Sequence, residues 1–467
     1  MSGDLKSVLS FCEKHKAGFL EDLKKLVRIP SISFPGFPEK EVKNSAEAVA
    51  ALFKESGLEN IEIIQMPGAH PYVYADWLHA PGKPTLLLYA HHDVQPVGNI
   101  DLWKTPPFEP TEVNGRLYAR GSADDKAGVV VHTSAVRSYL QTVGKLPLNV
   151  KFVIEGEEEC GSSSLFSFLE KYKEKLKADA IVLTDTGNFD SGLPSITTSL
   201  RGVLFFNITV SSMQGTVHSG MWGGIAPDPV MGLCKIFSSM VDTEGRVQIP
   251  GLWEQVKKRT PEEQALTAKL EIPDHEIRAQ ARLFADTKLC VGRDGTVRPF
   301  HQNWYEPSFS INAFEASSRK NAASVINGSC WARFGIRLVE GMDPALCQKQ
   351  VIEYVKQMTP WGLKVDLEYV DGAPAWATEP KGPAFESAMR ALEKGYGKKG
   401  IYIGTGGAIP FVEPFAKALG GVPALLIGVE DPYSNAHGEN ESLLISDFEK
   451  AILSSVYLYD DFANNCK

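Results

Sequence analysis

In "LLLYAHHDVQP", residues 86 to 96, a strongly apolar run ends in two histidines and an aspartate. Side chains on a strand alternate faces, so His91 and Asp93 share one face and His92 points to the other. A histidine with a carboxylate two positions on suits a metal ligand whose ring is oriented by an acid behind it. A partly exposed strand end with satisfied polar groups accounts for the same three residues. In "YARGSADDKAG", Asp124 and Asp125 stand together where a loop enters a helix. One aspartate there is an ordinary helix cap. Two at one turn could let one carboxylate bridge two cations while its neighbour braces the site.

"VIEGEEECG" carries Glu155, Glu157, Glu158 and Glu159 at the end of another apolar run. Three consecutive acids repel one another unless cations or solvent compensate, and a strand end inside a fold has limited solvent. Such an acidic neighbourhood disfavours a thiolate, so Cys160 is structural rather than nucleophilic. Asp185 in "IVLTDTGN" and His437 in "YSNAHGENE" are ordinary turn and loop residues when taken singly. With the others they complete a set: His91, Asp124, Glu159, Asp185 and His437 offer two imidazoles and three carboxylates, enough for two cations if one carboxylate bridges. Competing chemistry lacks its motifs. "GTGGAIP" has neither P-loop nor dinucleotide spacing, and the chain has no G-x-S-x-G and no H-E-x-x-H.

These residues need strand ends to hold them. "PTLLLYA", "LNVKFVIEG", "ADAIVLTD" and "GVPALLIGV" are apolar enough for buried strands, and residues 125–143 and 163–176 have helical periodicity. Alternation of this kind predicts an α/β fold, a mixed, mostly parallel sheet covered by helices, with ligands outside the carboxyl ends of the strands. From residue 201 the pattern turns to alternating strands, "RGVLFFNITVSS" and "SCWARFGIRLVE", around helices such as "DPVMGLCKIFSSMV". The expected division is a first domain of residues 1–200 and 377–467, interrupted by an inserted α+β domain over 201–376.

A chain of 467 residues can build two cores, and 43% apolar with 22% charged residues is a globular composition. A net charge of −9 argues against a nucleic-acid partner, and no run is long and apolar enough to span a membrane. The N-terminus reads as an amphipathic helix without a signal peptide's apolar core. Seven scattered cysteines without C-x-x-C spacing fit a reducing compartment, so a cytoplasmic location is expected.

"AHHDVQP", "LYARGSADDKAG", "EGEEECGS", the strand-end Asp185 and "AHGENE" together resemble, in order and spacing, the dinuclear metallopeptidase family of aminoacylase, acetylornithine deacetylase, succinyl-diaminopimelate desuccinylase, carboxypeptidase G and carnosine dipeptidase. "VHSGMWGG", "INAFEAS" and "FGIRLVEGMDP" look most like its subgroup of cytosolic dipeptidases and carnosinases. The resemblance implies two divalent ions per subunit, zinc first, with manganese or cobalt as alternatives. His91 and Asp185 would complete one metal site, Glu159 and His437 the other, and Asp124 would bridge both. Asp93 would orient His91, Glu158 would be the general base, and the Asp124–Asp125 bond would be cis. His218 would reach into the partner subunit's site from an inserted lid and dimerisation domain, making a homodimer functional. Arg337 would hold the substrate's C-terminal carboxylate, with Ser324 and Gly407 in the same pocket. The chain departs from the subgroup at Ala408, where serine is usual, and at Asn327, where proline is usual, so a hydroxyl donor to that carboxylate is missing. The implied activity is hydrolysis of dipeptides or similar small substrates with a free C-terminal carboxylate. N-acyl amino acid deacylation, desuccinylation or carboxypeptidase action on the same fold is the alternative, and a non-catalytic scaffold is the different-class one.

Overall fold

The four apolar runs form the strands Thr85–His91, Asn149–Glu155, Ala180–Leu183 and Ala424–Leu426 in the computed structural model, which describes residues 3–270, 272–409 and 411–466. Thr85–His91 lies between Asn149–Glu155 and Ala180–Leu183 and is parallel to both. Ala424–Leu426 continues the parallel set on Ala180–Leu183. These strands are buried along almost their whole length, which is why they read as continuous apolar runs rather than as alternation. Tyr72–Trp77 and Glu59–Ile64 extend the sheet antiparallel on the side of Asn149–Glu155.

A parallel pair needs a crossover, and the helix Lys126–Val143 supplies it between Thr85–His91 and Asn149–Glu155. It stops at Gly144, whose φ of 69° suits glycine and whose N–H bonds Leu140 O. The helix Gly3–Val27 buries Leu5, Val8, Cys12, Phe19, Leu23 and Leu26, the spacing of one helical face. Pro383–Tyr396 and Ile445–Asn465 pack on the same core, which joins Val8, Val49, Leu88, Phe152 and Val456. Because the four central strands are parallel, their carboxyl ends lie along one edge. The polar strings that follow the runs are delivered there together.

Two units are distinguishable: Met1–Thr198, Glu379–Ile403 and Phe411–Lys467 form one, and Ser199–Thr378 with Gly404–Pro410 form the other. The second unit has an antiparallel sheet in the order Ser308–Glu315, Ser329–Leu338, Gly202–Ser211, Lys364–Ala373. Its core gathers Phe206, Ile208, Phe334, Leu233 and Val351 beneath the helices Pro229–Met240 and Pro344–Met358. Both helices start alike: Asp228 and Asp343 each accept two backbone N–H groups and are followed by proline. Gly404–Pro410 would fall in the first unit by the sequence boundaries, yet it groups with the second. The reason is Arg201, whose backbone N–H bonds Gly407 O at 3.0 Å and whose Nε bonds Gly406 O at 3.1 Å.

Candidate metal centre

Asp124 sits in the turn that opens the crossover helix, and Glu441 holds that turn in shape. The Glu441 carboxylate accepts the N–H groups of Gly121, Ala123 and Asp124 at 3.0, 3.0 and 3.2 Å, and pairs with the buried Arg120 at 2.7 Å. So fixed, Asp124 presents its two oxygens to two imidazoles. Oδ1 is 2.9 Å from His91 Nε2, and Oδ2 is 3.0 Å from His437 Nε2. Burial works against this charge, but the two imidazoles outweigh it and hold Asp124 well below the usual carboxylate range. The Asp124–Asp125 peptide is cis.

Each imidazole has a second carboxylate. Asp185 Oδ1 is 3.6 Å from His91 Nε2, and Glu159 Oε2 is 3.2 Å from His437 Nε2. Burial lowers the His437 imidazolium, yet Asp124 and Glu159 reverse that and raise it to about 11. Glu159 is steadied by Gln95, whose N–H and side-chain amide bond its two oxygens at 3.1 and 2.8 Å.

Asp93 lies behind His91. Its Oδ1 is 3.5 Å from His91 Nδ1, and its carboxylate accepts the N–H groups of Glu158 and Glu159 and the Ser33 hydroxyl at 2.6 Å. With Nδ1 turned to Asp93, Nε2 is the nitrogen left for a ligand. His92 turns the other way. It is buried, its Nε2 bonds Pro71 O at 3.0 Å, and burial pushes its imidazolium down to about 4.

Two three-residue sets bring ligand atoms within 4.8 Å of one another: His91, Asp124 and Glu159, and His91, Asp125 and Asp185. In the second set Asp125 Oδ2 accepts the His91 N–H at 3.3 Å, and burial with the Asp185 charge holds its carboxyl well above the ordinary range. A carboxyl tied to the backbone suits a brace. The charged Asp124 between two imidazoles suits a bridge.

Glu158 is half-buried, and its carboxylate makes no hydrogen bond among the described residues. Burial and the Asp185 charge push it well above the ordinary value, with His91 opposing. A free carboxylate that holds a proton more readily than usual is equipped to exchange one with a reacting group. The Cys160 thiol is pushed up to about 11, chiefly by burial, so it is a poor nucleophile.

The donor set fits divalent cations. Asp124, Asp185 and Glu159 converge with two imidazoles, while Lys126, buried at the same turn, directs its ammonium to Leu26 O and Ile29 O at 2.9 and 2.7 Å. Converging carboxylates of this kind need compensating charge, and mixed imidazole and carboxylate donors suit zinc, manganese or cobalt.

His218, Ser324, Arg337 and Gly407 belong to the second unit. Val217–His218 pairs with Val325–Ile326, which sets the exposed His218 beside Ser324; His218 Nδ1 accepts the Gly220 N–H at 3.0 Å. Arg337 is on the strand Ser329–Leu338, half-buried, with no hydrogen bond or ion pair on its guanidinium among the described residues. Arg201 hydrogen-bonds the glycine loop at Gly407 O and Gly406 O, and burial together with the like charge of Arg337 lowers its guanidinium.

Three residues at the first unit's cluster escape sequence reasoning: Arg120, Glu441 and Glu430. Glu441 stands within "AHGENE", but a loop has no periodicity to say which way a side chain points.

Residues 87–460 match the family described as Peptidase family M20/M25/M40. A cysteinylglycine-S-conjugate dipeptidase of Corynebacterium striatum is 33% identical over 378 residues, 79% of this chain and of its own. The Cys-Gly metallodipeptidase dug1 of Schizosaccharomyces pombe is 30% identical over 98% of this chain and 99% of its own. Among solved structures, the dipeptidase Dug1p of Saccharomyces cerevisiae superposes with a TM-score of 0.88 at 26% identity over 100% of both chains. Human carnosine dipeptidase 1 does so with a TM-score of 0.88 at 27% identity over 99% of both. With that match running from the strand that carries His91 into the last helix, the chain belongs to peptidase family M20/M25/M40.

Proposed function

We propose that this protein is a metal-dependent dipeptidase that hydrolyses the amide bond of small peptides with a free C-terminal carboxylate. The observation that carries the reading is Asp124, with one oxygen toward His91 and the other toward His437. Relatives named as Cys-Gly and β-Ala-His dipeptidases over most of the chain support it.

In this reading the centre holds two divalent ions, with His91 and Asp185 on one, Glu159 and His437 on the other, and Asp124 shared. When bound, such ions polarise a carbonyl and lower the pKa of water. Glu158 takes the proton of the attacking water and returns it to the leaving amine. Asp93 keeps His91 in the tautomer that offers Nε2. Arg337 receives the C-terminal carboxylate with its planar fork, beside Ser324 and the Gly407 loop. The second unit acts as lid and dimerisation domain, and His218 serves the neighbouring subunit's site in a homodimer. Ala408 brings no hydroxyl to the carboxylate pocket, which leaves the reaction type intact and bears on the preferred substrate. The scattered cysteines, none disulfide-bonded among the described residues, support a cytoplasmic location.

The test is a panel of dipeptides, Cys-Gly and β-Ala-His included, assayed against N-acetyl and N-succinyl amino acids with and without chelator. Dipeptide turnover that chelator abolishes and zinc, manganese or cobalt restores is the expected result. No dipeptide turnover with any added metal would overturn the assignment, and turnover of the acyl substrates alone would move it to deacylation. Elemental analysis of the loaded protein should find two ions per chain.

A further inference from the structure

Glu430 is an acid beside the centre that the ligand set and the base leave unused. It follows the strand Ala424–Leu426, where Leu426 lies opposite Leu183 in the parallel neighbour. The pairing resumes beyond both strands, with Gly187 opposite Glu430 and the Asn188 N–H bonded to Glu430 O at 2.7 Å. By that register Glu430 stands two positions beyond the level of Asp185 on the adjacent strand. The following residue is anchored: Asp431 takes both prongs of Arg116 at 2.8 Å and the Ser191 hydroxyl at 2.6 Å. With Asp431 pinned one way, the Glu430 side chain is left to the other, where Asp124, Asp185, Glu441 and His437 all act on its charge.

The side chain is half-buried, and its carboxylate makes no hydrogen bond or ion pair among the described residues. Nearby acids are otherwise served, Asp431 by Arg116, Glu441 by Arg120 and Asp93 by Ser33. A partly buried carboxylate without a partner costs free energy that a cation relieves. Neither three-residue ligand set includes Glu430, and Arg116 and Arg120 are committed to its neighbours Asp431 and Glu441. A dipeptide brings its own cation.

We propose that Glu430 receives the N-terminal ammonium of the substrate and so selects free dipeptides over N-acylated amino acids. The inference rests on the dipeptidase reading above. It makes Glu430 a specificity residue for the amino end of the substrate.

The experiment compares Ala-Leu with propionyl-Leu, which lacks only the ammonium, using the metal-loaded full chain. Glu430→Gln should lower kcat/KM for Ala-Leu about ten- to hundredfold, mainly through KM, the scale of one charge-assisted contact. Propionyl-Leu should be cleaved as before or better, and where its turnover is too slow its inhibition constant replaces kcat/KM. Glu430→Asp should keep part of the preference. Metal content by elemental analysis should match the wild type. An unchanged Ala-Leu to propionyl-Leu ratio, an equal loss on both, or a loss of bound metal would overturn the proposal. Wild-type protein that cleaves no dipeptide at all would instead overturn the parent reading, and this one with it.

Discussion

Asp93 Oδ1 accepts the backbone N–H of Glu158 at 3.2 Å. The same carboxylate stands behind His91 and receives the Glu159 N–H at 3.0 Å. One buried aspartate therefore couples the orientation of the His91 imidazole, a proposed metal ligand, to the placement of the proposed base and of a second proposed ligand. Asp93→Asn keeps the shape but puts an amide where these donors expect a charge. We predict that metal affinity and kcat both fall about 10- to 100-fold, measured by metal titration and steady-state rates. Loss of rate with metal affinity unchanged would confine Asp93 to the base.

The neighbouring histidines should behave oppositely. His91→Ala should abolish measurable turnover and leave the protein short of one metal ion. His92→Gln should keep most activity and both ions, while losing roughly 1 kcal/mol of stability with its bond to Pro71 O. Activity assays with elemental analysis decide it, and a reversed pattern would mean that His92 carries the chemistry.

Glu158→Gln should separate binding from proton transfer. Its carboxylate has no hydrogen-bond partner among the described residues to lose, so fold and metal content should be unchanged. Removing a general base should cost roughly 10²–10⁴ in kcat with a small change in KM. A variant that turns over at near wild-type rate would remove Glu158 from the mechanism.

Away from the centre, the C-terminal helix is tied to Pro383–Tyr396 by Arg390, whose Nη2 is 2.6 Å and Nε 3.1 Å from the two Asp461 oxygens. Burial opposes the Asp461 charge, but the contact outweighs it and holds the carboxyl down to about 2. A depressed carboxyl contributes stability above its unfolded value of about 4 and loses it as pH falls through the folded value. Arg390 is partly exposed, so the contribution is about 1 to 2 kcal/mol after screening. Asp461→Asn should lower the urea midpoint at pH 7, and the gap to wild type should shrink as pH falls towards 3. A gap that stays constant would assign the effect to packing.

Much of the framework is local. Continuous apolar runs announce strands buried on both faces, and the spacing of Leu5, Val8, Cys12 and Phe19 announces one face of a helix, because neighbouring residues alone set those periods. Strand alternation likewise separates His91 and Asp93 from His92 before any partner is known. What local periods cannot say is where a carboxylate points once the strand has ended.

By itself, then, the sequence determined the donor types, their order along the chain and the strands and helices that carry them. Only the tertiary structure decided that Asp124 divides its oxygens between His91 and His437, that Gly404–Pro410 joins the second unit through Arg201, and that the Glu430 carboxylate has no hydrogen-bond or ion-pair partner among the described residues. Each depends on groups far apart in the chain, as with Asp124 N–H and Glu441, 317 positions away. Such pairings form only when the parallel strands bring their carboxyl ends to one edge, and no local pattern encodes that meeting.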